Sequence, residues 1–260
     1  MPASRSEPRT ILGRLSLFEC HFHPSALPIA IALLLSLHPI VGLAEDPPPS
    51  ISFVDVTGSA GLLEPLAGLM GHGAAWGDVD ADGRLDLFVG GFCDRPDAEY
   101  QPAPGPVPSR LLIQTAEGRF KTARQSPLEL FGRTSGAVFL DLDNDADLDL
   151  YVANNARSRS VRTDGLQRSA QLLQSRLFRN DRGQFSDITA SSRACPSDLH
   201  SARNIGVLDF DNDGLLDLFV LEDRFVGAGH TPRSVLLRHG SDLTFDAANR
   251  AAHLPDDLYG

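Results

Sequence analysis

From about residue 51 onward, the chain consists of short apolar runs separated by polar turns, and one such pattern occurs three times. Each copy begins with apolar residues, passes through closely spaced aspartates, and ends in a second apolar run. The copies align without gaps: 76–89 (WGDVDADGRLDLFV), 139–152 (FLDLDNDADLDLYV) and 207–220 (VLDFDNDGLLDLFV). Because their first aspartates lie 63 and 68 residues apart, the repeating unit is much longer than a hairpin.

The apolar run after each group of aspartates alternates with a period of two. In the first copy Leu85, Leu87 and Val89 fall on one side and Asp86 and Phe88 on the other. This period is typical of a β-strand, and the runs are too short and too closely bounded by turn residues for helices. We therefore predict a strand on each side of every aspartate loop.

A second element follows each of these segments after a variable connection. It is predicted to be a strand, a tight turn and a strand, in 110–120, 176–185 and 235–245. The segment 53–57 (FVDVT) is similar to the second strand of this hairpin, and 254–260 is similar to the entry of a further copy. A unit thus contains four strands, the content of one propeller blade. The predicted fold class is all-β: a partial β-propeller, open or truncated, of about three four-stranded blades in 51–260.

The aspartates follow the pattern D-x-D-x-D-x-x-x-D, which suits a metal loop. In a tight loop the side chains at positions 1, 3 and 5 converge, the carboxylate at position 9 closes the shell, and the backbone carbonyl at position 7 adds an oxygen. Hard oxygen ligands in this number suit Ca²⁺ better than Mg²⁺, which prefers a rigid octahedron. The predicted ligands of up to three Ca²⁺ ions are Asp78, Asp80, Asp82, Arg84 and Asp86 in the first loop (78–86); Asp141, Asp143, Asp145, Asp147 and Asp149 in the second loop (141–149); and Asp209, Asp211, Asp213, Leu215 and Asp217 in the third loop (209–217).

Position 6 of such a loop needs a sharp turn. It is Gly83 in the first loop and Gly214 in the third, but Ala146 in the second. If this position is left-handed, alanine costs about 1 kcal/mol, so the second site is expected to be the weakest.

Two other interpretations of the aspartates are less consistent with the sequence. Aspartate favours turns without any metal, but three groups in register with the same apolar flanks do not arise by turn preference alone. An EF-hand loop would end in glutamate at position 12 and lead into a helix. Here position 12 is Val89, Val152 or Val220, each inside a predicted strand.

These segments, together with RLFRNDRGQFSDIT at 176–189, resemble the FG-GAP/VCBS repeats of integrin α-subunit propellers. They resemble still more the exported bacterial proteins that carry such repeats near an ASPIC/UnbV domain. The resemblance covers nearly all of 51–260 and implies a β-propeller whose calcium loops lie between the first two strands of each blade. It also implies a recognition, adhesion or scaffold module whose partner is an extracellular protein or a carbohydrate. Closed propellers have more than three blades, so a truncated member with exposed edge strands, open to edge-strand association, is expected.

The N-terminal 44 residues are predicted to be a signal peptide. Arg5, Arg9 and Arg14 form a positive region, the stretch 26–44 is apolar, and it ends in small residues. An uncleaved membrane anchor is the alternative, because the apolar stretch is close to bilayer-spanning length. Residues 45–50 (EDPPPS) are a predicted linker, and no later segment is predicted to cross a membrane. A secreted or extracytoplasmic location, at the cell surface or in a periplasm, follows from this interpretation.

Charge and cysteine content narrow the function further. The net charge is −11, which argues against nucleic-acid binding, and much of the acid lies in the three loops. Cys20 lies in the predicted signal, which leaves Cys93 and Cys195. Two separate thiols are the preferred interpretation of that pair, and a disulfide remains the alternative.

Catalytic residues are not predicted. His72 aligns with Ser135 and Arg203 and is therefore interpreted as a surface strand end; His200, His230 and His239 show no indicated partner, the last two in or beside turns. Trp76 and Phe139 are predicted to be core, and Phe88, Tyr151 and Phe219 to pack between blades. The alternatives are a propeller-based enzyme of the lyase or quinoprotein kind, for which a single-blade catalytic residue would be needed, and a vestigial fragment without independent activity.

Overall fold

The computed structural model describes residues 51–93, 95–123, 126–155, 174–196, 199, 201–223 and 233–255. The chain divides into two compact units, Met1–Ser52 and Phe53–Gly260, and every element described below belongs to the second. The predicted signal or anchor, the linker, His200 and His230 lie outside the described residues. None of the helices in the described ranges has the length and apolar character that crossing a membrane requires.

Twelve strands and three very short helices make up the described structure. The first blade contains β1 (Gly71–Gly77), β2 (Asp86–Gly91), β3 (Arg110–Gln114) and β4 (Phe120–Ala123). The second contains β5 (Thr134–Leu140), β6 (Asp149–Asn154), β7 (Arg176–Asp181) and β8 (Gln184–Asp187). The third contains β9 (Ala202–Leu208), β10 (Asp217–Glu222), β11 (Val235–His239) and β12 (Phe245–Ala247). The helices are two 3₁₀ turns, Asp97–Tyr100 and Ser126–Leu128, and the one-turn α1 (Thr189–Ser192).

Each blade is a four-stranded antiparallel sheet whose strands pair in chain order. The inner strands β1, β5 and β9 are neighbours in space, so the blades follow one another as in a propeller. The predicted all-β class, with three four-stranded blades in a partial, open propeller, is confirmed. In each blade the aspartate loop connects the first strand to the second, as predicted from the sequence.

The alternating strand after the loop is buried on both sides in blades 1 and 2, because each of these two blades is packed between two neighbouring elements. Phe88 belongs to the core between blades 1 and 2, while Leu87 packs in a smaller cluster with the connection that precedes β1. Leu85, predicted to share the face of Leu87, lies before the strand and is exposed. Successive side chains of this strand therefore point to two different apolar surroundings. The exception is the aspartate at the start of the strand, which is buried but charged.

Two large apolar clusters hold the blades together. The first joins blade 1 to blade 2, and the second joins blade 2 to blade 3. Phe88 and Tyr151 are fully buried in these joints, which confirms their predicted packing between blades. Phe219, their counterpart in blade 3, is only half-buried, since the described chain places no blade beyond it.

The inner strands of blades 1 and 2 approach closely through glycines. A Cβ on Gly73 would lie 2.9 Å from the backbone nitrogen of Gly136, and a Cβ on Gly136 would lie 3.0 Å from the carbonyl oxygen of Arg203. Real Cβ atoms do not come that close to backbone without displacing it. Glycine at these two positions therefore sets the spacing of the three blades near their common axis.

Two predictions for apolar residues are corrected by the structure. Trp76 was predicted to be core but is 54% exposed, with its ring edge against Phe120. Its counterpart Phe139 is half-buried because blade 1 covers it, whereas no blade precedes blade 1 among the described residues. Segment 51–56 forms no strand, although its sequence is similar to the outer strand of a blade. With no described blade for it to join, Phe53 is 95% exposed.

The cysteines and the inner-strand histidine are as expected. Cys93 and Cys195 form no disulfide, which confirms two separate thiols and excludes the disulfide alternative. Burial raises the pKa of the Cys195 thiol to about 12, which keeps it protonated and unreactive. His72 lies on β1 with its side chain exposed and its ring against Phe92, a surface position as predicted.

Candidate metal sites

The three aspartate loops are closed by their first residue. Both carboxylate oxygens of Asp78 accept backbone hydrogen bonds within the loop, from the amides of Asp82 (3.0 Å) and Gly83 (2.8 Å). The same two bonds recur at Asp141 and Asp209. Position 1 thus folds the loop around itself, and this turn chemistry needs no ion to form.

Left-handed backbone occurs twice in every loop. Position 6 has φ of +84° at Gly83, +71° at Ala146 and +85° at Gly214, which confirms the predicted left-handed turn. Position 4, which sequence reasoning did not single out, has φ between +57° and +59° at Ala81, Asn144 and Asn212. Non-glycine residues carry a strain energy there, so these loops hold their shape against a local cost.

Replacing Ala146 with glycine is expected to raise the free energy of unfolding by about 1 kcal/mol, because glycine adopts a positive φ without a Cβ clash. Urea unfolding of the variant and the parent protein in chelator measures the difference. Gly214→Ala, the reverse change in the third loop, is the matched control and is expected to destabilise by a similar amount. Equal stability of all three proteins would contradict the strain at position 6.

Position 9 joins each loop to the third strand of its blade. The buried carboxylate of Asp149 accepts hydrogen bonds from the amides of Leu142 (3.0 Å) and Asn180 (2.8 Å). Asp86 and Asp217 make the equivalent pair of bonds in their own blades. Burial raises the pKa of Asp149 to about 6, and it raises the pKa of Asp86 as well. All three carboxylates therefore act as structural staples, and burial makes the negative charge of Asp149 and Asp86 costly without a cation.

Three carboxylates in each loop converge closely enough for one ion. In each loop, one oxygen from each of three aspartates lies within 4.8 Å of the other two. Two oxygens that bind the same Ca²⁺ at about 2.4 Å can be at most about 4.8 Å apart, so the spacing fits. The members are Asp78, Asp80 and Asp86; Asp141, Asp143 and Asp145; and Asp209, Asp211 and Asp217.

The remaining aspartate of each predicted set lies outside its cluster. Asp82 and Asp213 each accept a hydrogen bond from the backbone amide two residues ahead. Both oxygens of Asp149 accept the backbone hydrogen bonds described above. Full ligation by all four aspartates and by the carbonyls of Arg84, Asp147 and Leu215 stays a prediction. The clusters confirm the coarser statement that each loop could hold a metal ion.

One atom of the second loop indicates a missing partner. Oδ1 of Asp143 is buried and has no hydrogen-bond partner among the described residues, while its Oδ2 is bound by Arg179. Burial raises the pKa of Asp143 despite that arginine. A buried carboxylate oxygen without a donor is energetically costly, and a cation at the centre of the loop would satisfy it. The donor set of hard oxygens and this orphaned atom both fit a calcium ion.

Arginines lie over the loops, and sequence reasoning did not identify them as part of the site. Arg179 on β7 contacts Asp143 at 2.6 Å and Asp145 at 3.3 Å. Arg238, at the same position on β11, contacts Asp211 at 2.6 Å and Asp213 at 3.2 Å. The signal was present in the hairpin repeat, where arginine is the third residue of both LFRN and LLRH.

The residue after each of these arginines lies at the joint between blades. The Asn180 side chain donates to the carbonyl oxygen of Val79 in blade 1 (2.8 Å) and accepts from the Gly183 amide (2.8 Å). His239 occupies this position in blade 3. It is the buried last residue of β11 and lies beside the turn that follows, as predicted. Its ring stacks on Phe245, and neither ring nitrogen has a hydrogen-bond partner among the described residues. Burial lowers the pKa of His239, which keeps the ring neutral.

Comparison with known proteins gives weak similarities. No family model matches the sequence. Over 177 residues the chain is 28% identical to cartilage acidic protein 1 of Homo sapiens and 29% identical to that of Mus musculus, in each case 65% of this chain but only 22% and 23% of the relative. Over 195 residues it is 29% identical to integrin alpha-V of Gallus gallus, which covers 71% of this chain and 17% of that protein.

The chain thus spans about a fifth of the length of the curated relatives it matches. The similarity to an integrin alpha subunit agrees with the predicted integrin-like repeat at a coarse level. Together with the three blades and the aspartate clusters, it supports a propeller-type repeat protein. The closer relationship to ASPIC/UnbV-associated proteins stays a prediction.

Proposed function

We propose that the chain is an exported β-propeller repeat protein whose blades are stabilised by calcium and which serves as a recognition, adhesion or scaffold module. The observation that carries this proposal is the convergence of three carboxylates in each of three loops that occupy the same place in successive blades. A catalytic group would be needed in one blade only, whereas these groups recur in all three. Repetition supports a structural role for the ions.

Calcium in these loops would stabilise more than the loops themselves. The position 9 carboxylate contacts the start of its loop and also the third strand of its blade, as Asp149 does through Leu142 and Asn180. An ion that neutralises the cluster removes the repulsion among its carboxylates and makes the ionised form of this staple less costly. Each ion would therefore brace the first three strands of a blade.

The proposed location is extracytoplasmic, and the proposed partner is an extracellular protein or a carbohydrate. The predicted signal peptide supports export, and similarity to an integrin alpha subunit and to a cartilage protein is consistent with work outside the cell. Extracellular calcium modules bind their ion with a Kd of about 10⁻⁴ to 10⁻³ M, so millimolar calcium outside the cell would occupy such sites. Exposed apolar residues at either end of the described blades offer surface for association, Trp76 at one end and Leu208 at the other.

Millimolar calcium is expected to raise the melting temperature of the full chain. Ligand binding to the folded state alone adds about 2.7 kcal/mol per site at a concentration of 100 times Kd. Thermal unfolding in chelator, in magnesium and across a calcium titration measures the effect. The matched control replaces the three position 3 carboxylates with amides of equal size (Asp80→Asn, Asp143→Asn and Asp211→Asn), which leaves the position 1 and position 9 hydrogen bonds intact.

The parent protein should respond to calcium and the triple variant should not. A cooperative melt that is the same in calcium, magnesium and chelator would refute calcium stabilisation. Size-exclusion chromatography in calcium distinguishes an autonomous module from a fragment. A monomer supports the module, and calcium-bound aggregates support a fragment with open sheet edges.

A further inference from the structure

In two of the three loops, an arginine from the third strand of the same blade bridges two carboxylates. The Arg179 guanidinium bridges the position 3 and position 5 carboxylates of the second loop, and Arg238 does the same in the third. Both arginines are the fourth residue of an otherwise equivalent strand, β7 or β11. The arrangement therefore belongs to the repeat and does not depend on a single surface side chain.

The first loop lacks this arginine. Strand pairing places Leu112, Phe178 and Leu237 at equivalent positions, opposite Leu87, Leu150 and Leu218. The next residue is Ile113 in blade 1, where the other blades have arginine. In the first loop the only arginine contact among the described residues comes from Arg84 of the loop itself, and it reaches Asp82 alone. Asp80 at position 3 is thus not bridged to Asp82 by a guanidinium.

The bound arginines do not fill the sites. Arg179 contacts Oδ2 of Asp143 and leaves Oδ1 of that residue buried and unpartnered, facing no other donor in the described chain. The guanidinium is about half exposed, so it lies at the outer edge of the loop. A cation at the centre and an arginine at the edge can therefore coexist, and their interaction is repulsion between like charges at short range.

We propose that Arg179 and Arg238 are built-in counter-ions, each of which stabilises its loop in the absence of calcium and lowers that loop's affinity for calcium. This inference rests on the proposed calcium binding. Arginine suits the task because its guanidinium stays charged and its planar donors match two carboxylates at once. Consistently, the nearby carboxylates, Asp143 first, raise the pKa of Arg179, and Asp211 does so for Arg238.

The same geometry predicts unequal sites. The first loop has no arginine between positions 3 and 5, so it is expected to bind calcium more tightly than the second and third. The second loop has both the arginine and the left-handed Ala146, and it is expected to be the weakest of the three.

The test measures one loop at a time in the full chain. Asp80→Asn with Asp211→Asn leaves the second loop as the single intact site, and Arg179→Met is added to that background. Isothermal titration with calcium is expected to show about fivefold tighter binding once the arginine is removed, because a charge next to a divalent ion in partly screened surroundings is worth that much. The gain should shrink as potassium chloride is raised, since salt screens exposed charges.

Two controls separate charge from packing. Arg179→Lys keeps the charge and should keep most of the parent affinity, while Arg193→Met removes an exposed arginine whose ion pair is with Asp246, away from the loops, and should change nothing. A melt in chelator gives a readout without calcium, in which Arg179→Met should lower the melting temperature. Affinity that is unchanged or weaker in Arg179→Met would overturn the counter-ion role and make the arginine a positioning residue. If the single-site parent itself binds no calcium, the proposed function fails, and the chelator melts still decide whether the arginine stabilises the empty loop.

Discussion

Asp149→Ala is expected to lower the free energy of unfolding by about 3 kcal/mol in chelator, and by at least as much in calcium, which makes the ionised carboxylate less costly. The change removes the acceptor for two backbone amides, those of Leu142 and Asn180, in a site where Asp149 itself is buried. Each buried donor left unsatisfied costs about 1 to 3 kcal/mol, and part of this is offset because the ionised carboxylate is itself costly to bury. Urea unfolding, followed by circular dichroism, measures the loss.

The control for this experiment is Asp181→Ala at the exposed end of β7, the strand that carries Asn180. No described hydrogen bond depends on the Asp181 side chain, so its removal is expected to change stability by less than about 0.5 kcal/mol. If Asp149→Ala loses stability only when calcium is present, the residue is a ligand and its role as a staple is wrong. A loss in chelator as well as in calcium supports the staple.

Gly73→Ala is expected to destabilise the protein by about 1 to 3 kcal/mol, the usual cost of overpacking a filled site. The added Cβ would lie 2.9 Å from the backbone of Gly136 in the neighbouring inner strand. Backbone on both sides prevents the clash from being relieved by a side-chain rotation. Thermal unfolding of the variant in chelator gives the size of the effect without any contribution from calcium.

Gly206→Ala is the matched control, because Gly206 lies within the inner strand of blade 3 and its added Cβ meets nothing closer than 3.7 Å. This variant is expected to unfold like the parent protein. A large loss from Gly206→Ala would mean that another surface packs against that side of blade 3 in solution. Stability of Gly73→Ala equal to that of the parent would contradict the close approach of the inner strands.

The repeat could be predicted from the sequence because its signals are local. Alternation, turn residues and aspartate spacing depend on neighbours within a few positions, and they located the strands of all three blades. The left-handed turn at position 6 followed from Gly83 and Gly214 in the same way. Position 4 was missed because Ala81 and Asn144 carry no common signal for a positive φ.

The failures concern contacts between distant parts of the chain. Trp76 aligns with Phe139, so the repeat predicted equal burial. Burial depends on a preceding blade, however, and among the described blades only Phe139 has one. The environment of His239 differs from that of Asn180 although the two residues align, because the difference lies in a hydrogen bond to another blade. Periodicity shows which face of a strand is apolar and leaves open what covers it.

The arginines show a third kind of limit. Arg179 and Arg238 were visible as a repeated residue, but their contacts with the aspartates follow only from the pairing of the third strand with the second. The paired strand brings residues about 35 positions apart in the chain to a 2.6 Å contact. A sequence motif for the loop alone therefore omits part of the site's charge.

The hydrogen bond from Asn180 to Val79 is expected to couple ion binding at the first loop to ion binding at the second. Val79 directly follows Asp78, so a cation that fixes the first loop also fixes the acceptor on which the blade 2 hairpin depends. Coupling of this kind is reciprocal: if an ion in one loop raises the affinity of the other loop by some factor, an ion in the other loop raises the affinity of the first by the same factor. His239 makes no such bond in the described chain, so the third loop is expected to fill independently, and the titration should contain a cooperative pair and a separate single site.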